Sequence, residues 1–192
     1  MKVCNRTISI AEQLSAHLAK SDDFKGIKVF YDHGESGHSS VCQPTSYMGR
    51  RYGSDATLSG IDIVLVRNGK AFLAVEVEES YVRPKTVLGD VFGIALANKV
   101  RIQGRTYPIH EALLMVAVVV GSSGRRREKY KRLERHIGRY IRALQTSSPR
   151  TNITKVRVIT TSQEDLVRRV ERFIRLEIGK HLDTSLKAQR GN

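Results

Sequence analysis

Asp62, Glu76 and Glu78 are the residues whose types and spacing most directly imply chemistry in this chain. Ile61 to Val66 reads as a strand, Asn68-Gly69 as a two-residue turn, and Lys70 to Glu79 as the returning strand. In a regular hairpin of this kind Asp62 pairs with Val75, one step diagonal from Glu76. A small register shift or a bulge sets the two carboxylates side by side. Glu78 stands two residues beyond Glu76 and projects from the same face of the strand. Three carboxylates meeting at a strand end repel one another unless a cation neutralises them, and an all-oxygen set suits Mg2+ rather than zinc. Acidic residues at strand ends commonly do no more than face solvent. Here Ala74, Val75 and Val77 are apolar and the surrounding chain is basic, which favours a metal site.

The elements that must position these groups follow from the apolar pattern. Ser9-Ile10-Ala11-Glu12 has the form of a capping box, opening a helix with Ala11, Leu14 and Leu18 on one face. Gly26 precedes a strand over Ile27 to Tyr31. A polar stretch at about 32–59, rich in Gly and Ser, reads as a long functional loop or as cover for a short element. Its His33, Glu35, His38 and Cys42, with Cys4, match no zinc spacing. Pro84 opens a helix carrying Val87, Leu88, Val91 and Ala95, and Ala112 to Val120 is a strand covered on both faces. Arg125 to Leu144 is an amphipathic helix whose buried stripe is Tyr130, Leu133, Ile137, Tyr140, Ile141 and Leu144. Lys155 to Thr160 is a strand, and Thr161 or Ser162 caps a last helix with Leu166, Val170, Ile174 and Ile178 inward. The order α-β-β-β-α-β-α-β-α predicts an α/β fold, a mixed sheet flanked by helices, in one domain over residues 1–192.

Composition narrows the partner. The chain of 192 residues carries 33 Lys and Arg against 19 Asp and Glu, a net charge of +14, which points to a polyanion. A membrane surface is the weaker competitor, because the basic stretches lack interfacial aromatics and the chain has no Trp. Two cysteines are too few for a disulfide scaffold, no signal peptide is visible and no apolar run spans a bilayer, so a soluble cytoplasmic protein is expected.

Together the acidic residue Glu12 on a first helix, the Asp62 strand, the Glu76-Val77-Glu78 strand and the helix and strand that follow resemble the PD-(D/E)xK nuclease superfamily. The resemblance runs from roughly Glu12 to Val120, and it departs from the pattern in two places. Ile61 stands where Pro is usual, and Glu78 holds the usual Lys position, as in some type II restriction endonucleases. The resemblance implies a restriction-endonuclease-like fold in which Asp62, Glu76 and the Val77 carbonyl bind Mg2+, one or two ions per site. Glu12 would complete that set, and Glu78 would orient or deprotonate the attacking water or bind a second cation. It further implies cleavage of double-stranded DNA, most simply by a homodimer with one active site per strand. A structure-specific nuclease of the junction-resolvase kind, or a DNA-binding module on a degenerate nuclease fold, are the alternatives.

Three basic groups are candidates for DNA contact. Arg125, Arg126, Arg127 and Lys129 open a helix, where backbone amides also favour phosphate. Lys99, Arg101 and Arg105 alternate with Val100 and Ile102 in a small strand or loop at the sheet's edge. Arg50 and Arg51 lie in the long loop beside Tyr47 and Met48, suited in type to groove contacts or to wedging between bases.

Overall fold

The computed structural model describes residues 5–20, 22–32, 44–49, 56–78, 83–120, 123–146 and 151–190, the side chains of 5, 23 and 181–190 apart. Its elements in chain order are α1 (Asn5–Leu18), β1 (Ile27–Tyr31), β2 (Thr45–Tyr47), β3 (Thr57–Gly60), β4 (Ile63–Arg67) and β5 (Lys70–Glu78). There follow α2 (Pro84–Ala95), β6 (Lys99–Ile102), β7 (Arg105–Val119), α3 (Gly124–Thr146), β8 (Ile153–Thr161) and α4 (Leu166–Arg190). The expected elements are all present. β2 and β3 add to the predicted order, and the small strand or loop expected around Lys99 and Arg101 is the strand β6.

β7 organises the sheet. Its second half is flanked by β5 and β8, both parallel to it, and antiparallel β4 and β1 extend the β5 side. Its first half forms a hairpin with β6, which pairs with β2 and through it with β3. The left-handed φ of Glu111, 46°, falls between these two halves, where the pairing with β5 also shifts register. Alternation along β7 splits the interior in two. Leu114, Val116 and Val118 face α2 and α3, with Val64, Ala74, Val91 and Ile141. Leu113, Met115 and Ala117 face α1 and α4, with Leu14, Val75, Val170 and Ile174. Helices therefore cover both faces of a mixed sheet.

Four expectations need correction. Ser9 does not cap α1: the helix already runs from Asn5, and the Ser9 hydroxyl receives the Gln13 Nε2 donor at 3.2 Å instead. Of the two readings of 32–59, one long loop gives way to cover for short elements, since β2 lies in it and β3 begins in it, pairing through backbone bonds that need no apolar alternation. β6 is not at the sheet's edge, because β2 pairs along its outer side. Tyr140 is 63% exposed, off the buried stripe of Tyr130, Ile137 and Ile141.

Candidate metal and nucleic-acid site

The site begins at the closed end of the β4–β5 hairpin. Asn68 and Gly69 both take positive φ, 51° and 73°, the conformation a two-residue turn matched to strand twist demands. Arg67↔Lys70 and Val66↔Ala71 then pair, but Leu65 pairs with Leu73, so Phe72 is an extra residue in β5. Phe72 and Leu73 accordingly both pack into the core beneath α1 and α4, where a regular strand would send them to opposite faces. From the bulge onward Val64 pairs with Ala74 and Ile63 with Val75. The same register carried one step further sets Asp62 opposite Glu76, on the face that Val64 and Ala74 share with α2.

Asp62 stands just before β4, and its side chain takes the place of a ladder bond. Its Oδ2 accepts the Val77 N–H at 2.7 Å, while the Asp62 backbone N–H donates to the Glu76 carboxylate. A strand residue sends its N–H and C=O towards the same neighbour, so the Val77 carbonyl faces the Asp62 side. Asp32 is held here as well, its N–H donating to the Asp62 carbonyl at 2.9 Å.

Charge is concentrated at this end. Burial, then Asp62 and Asp90, push the Glu76 carboxyl well above the usual carboxylate range, against the pull of the Asp62 N–H. Glu78 is pushed up to about 7 by desolvation, by the charge of Asp90 and by a side-chain hydrogen bond to it. Asp90 itself is raised by desolvation, which its bond to Glu78 offsets only in part. The Asp90 Oδ2 is buried without a hydrogen-bond partner. Asp90 comes from α2, beside the buried stripe of Val87, Val91 and Ile94, and sequence reasoning missed it. An acid flanking an apolar helical stripe was the available signal, although the strand it faces could not be read from the helix alone.

The structure thus brings together Asp62, Glu76 and Glu78, and adds Asp90. It does not bring Glu12 to them. Glu12 is exposed on α1, and its charge bears on Tyr31, whose hydroxyl is raised first by burial and then by Glu12. Among the described residues no three acidic, His or Cys side chains are arranged to hold one ion as they stand. In kind the donors fit a hard divalent cation: they are oxygens only, and one buried carboxylate oxygen, Asp90 Oδ2, has no hydrogen-bond partner among the described residues.

The basic candidates fall into separate places. Arg125, Arg126, Arg127 and Lys129 are exposed in the first turns of α3, where Ser123 Oγ accepts the Arg126 N–H at 3.4 Å. α3 follows β7, and Val118 of β7 lies beside Glu78, so this helix start is at the acidic end of the sheet. Arg101 is exposed and sits beside Thr45, which pairs with Gly60, two residues from Asp62. Two strand spacings, about 10 Å, separate Gly60 from Arg101. Lys99 is half-buried and pairs across to Tyr47, while Met48 is 49% exposed and Arg105 is exposed at the start of β7. Arg50 and Arg51, like His33, Glu35, His38, Cys42, Cys4 and Glu79, lie outside the described residues. No helix among the described residues is long and apolar enough to cross a membrane. Comparison with protein-family models, with curated proteins and with solved structures finds no match to this chain.

Proposed function

We propose that this protein is a Mg2+-dependent endonuclease acting on double-stranded DNA, similar in its site to the PD-(D/E)xK nucleases and nearest in its residues to type II restriction enzymes. The observation that carries this reading is the crowding of Asp62, Glu76, Glu78 and Asp90 on one face at the carboxyl end of β5, in a chain of net charge +14. Desolvation and the neighbouring acids raise the proton affinity of Glu76 and Glu78, a cost that a proton or a cation relieves. Ligands bind characteristically outside the carboxyl ends of parallel strands, and α3 starts at that end with four cations in its opening turns.

Asp62, Glu76 and the Val77 carbonyl would hold Mg2+, which when bound polarises the phosphate and offsets charge on the leaving oxygen. Glu78 lies two residues along the same face and titrates near neutrality, where a carboxylate serves best as a general base. Ionised Glu78 orients a water towards the phosphorus and accepts its proton as the new P–O bond forms; the opposite P–O bond breaks, and the leaving oxygen takes a proton from solvent. Asp90 faces Glu78 and favours its protonated form, so Glu78 must lose that proton, as cation binding would promote, before it can act as the base. Arg125, Arg126 and Arg127 grip the flanking phosphates. Two such chains, one per strand, would give a double-strand cut.

Incubation with supercoiled plasmid and Mg2+ tests the reading. The expected result is discrete linear fragments, abolished in Asp62→Asn, a change that keeps an acceptor for the Val77 N–H and removes the charge. Cleavage confined to branched DNA would transfer the activity to junctions. Full cleavage by Asp62→Asn would dispose of the site.

A further inference from the structure

A second charged feature lies away from the acidic end. A groove of about 720 Å³ runs between α3 and β8, the outer strand on that side of the main sheet. Lys131, Arg135, Arg139 and Arg142 line it from the helix, and Lys155 and Arg157 from the strand. Only Glu128 and Glu134 among the lining residues oppose them. Glu134 takes Arg157 at 3.0 Å and Glu128 takes Arg135 at 3.4 Å, while Lys155 bridges to Glu177 at 3.0 Å. Lys131, Arg139 and Arg142 make no ion pair among the described residues.

Two explanations account for parts of this arrangement. Cations along an outer strand discourage edge-to-edge pairing, which covers Lys155 and Arg157. A solvated helix face accounts for any one of the α3 cations. Neither accounts for Gly138, which lines the same groove in the middle of α3. Glycine inside a helix costs about 0.5–1 kcal/mol relative to alanine. Here no positive φ requires it, and a Cβ at this position would meet nothing within 4 Å. The open space at this position lets a bulky, rigid polyanion come close to the flanking cations. From Lys131 to Arg142 the stripe is about 16 Å long at ~1.5 Å per residue, or roughly five phosphate steps of one DNA strand at ~3.4 Å each.

We infer that the α3–β8 groove is a second binding track for the DNA duplex, holding one phosphate strand through Lys131, Arg139 and Arg142. It rests on the reading of duplex DNA as the substrate, and it extends that contact down α3 from the helix start at the acidic end. Counterions released along the track would give affinity and orientation without reading sequence.

The test is metal-free binding of the full chain to a 24-base-pair DNA duplex, followed by fluorescence anisotropy over a salt series. The variants are the triple Lys131→Gln, Arg139→Gln, Arg142→Gln and a control triple of equal charge change on α4, Arg168→Gln, Arg169→Gln, Arg172→Gln. Circular dichroism checks that both fold. The groove triple should lower the slope of log affinity against log salt by about 2–3 units, at about 0.9 per lost phosphate contact. The control should leave the slope within about half a unit. Equal losses in the two triples would show bulk charge at work and overturn the inference. So would an unchanged slope in the groove triple, or a loss seen with single-stranded RNA but not with duplex DNA. A wild-type chain that binds duplex with this groove dependence yet never cuts would sink the nuclease reading alone. One that cuts with the groove triple's slope intact would sink the groove alone.

Discussion

The open end of the β4–β5 hairpin and the flank of α3 both gather like charges, under opposite conditions. Asp62, Glu76, Glu78 and Asp90 are drawn together by a backbone register and by packing of α2, where desolvation raises Glu76, Glu78 and Asp90 and the charges of Asp62 and Asp90 raise Glu76 and Glu78 further. Lys131, Arg139 and Arg142 stand on an exposed helix face, where solvent and salt screen their repulsion. The acids are therefore held against an electrostatic cost in the metal-free protein, whereas the cations cost almost nothing to keep. A functional residue that opposes the fold and one that is indifferent to it give different signatures under mutation. That contrast can be broken experimentally.

The sharpest break is at Glu76. Glu76→Gln should reduce Mg2+-dependent cleavage by about a hundredfold or more, since even residues supporting a metal ligand cost 10–100-fold. The same change should raise the melting temperature of the metal-free protein at pH 8. Burial and the neighbouring acids raise the folded-state pKa of Glu76, so its favourable contribution is complete below about pH 4.5 and disappears as pH rises through the folded value. Glutamine stays neutral throughout and keeps an acceptor for the Asp62 N–H. A variant that loses both activity and stability at pH 8 would place Glu76 with ordinary structural residues.

The positioning of these acids was legible in part. Asn68-Gly69 and the alternation around it gave the hairpin, and the spacing of Glu76 and Glu78 gave their common face. What sets Asp62 opposite Glu76 is the bulge at Phe72, and an extra apolar residue in an apolar strand leaves no mark in the pattern. Leu166, Val170, Ile174 and Ile178 announced α4 because burial repeats at helical period. β2 and β3 were hidden because Thr45-Ser46-Tyr47 and Thr57-Leu58-Ser59-Gly60 are short and largely polar, and because β3 pairs among the described residues only with β2, whose other partner, β6, lies far along the chain. Ser46 is buried there by its hydroxyl bonds to Ser59, at 2.9 Å between the two oxygens. Ser9 misled for a related reason: its chemistry suits a cap, but the turn before it is already helical. Asp90 depends on which strand face α2 covers, a tertiary fact.

The hairpin turn offers a break of intermediate size. Gly69→Val places a β-branched residue at φ 73°, at a cost of about 1–2 kcal/mol, or about 2–8 °C at the ~2–4 °C per kcal/mol expected for a chain this long. Cleavage should fall with it, because the turn sets the register that aligns Asp62. A drop in melting temperature with full activity would show that the open end is fixed by α2 instead.

Glu78 supplies a smaller and more diagnostic effect. Its folded pKa of about 7 exceeds its ordinary 4.5, so the metal-free protein should lose stability as pH rises from about 5 to 8. Glu78→Gln should flatten that decline by a few degrees, and excess Mg2+ should raise the melting temperature more at pH 8 than at pH 5. Equal metal effects at both pH values would exclude these carboxyls as the binding groups.

The smallest expected effect is the counterpart on α3. The triple Lys131→Gln, Arg139→Gln, Arg142→Gln should leave the melting temperature within about 2 °C at any pH between 5 and 8, because exposed substitutions away from packed or paired groups stay within about ±0.5 kcal/mol each and three of mixed sign sum to about 0.5 kcal/mol. Its melting curve at pH 8 would thus match wild type while Glu76→Gln runs above it. If the triple instead stabilised the protein as strongly as the acid variants do, repulsion along α3 would be as costly as that at the strand ends. The two regions would then differ in sign alone.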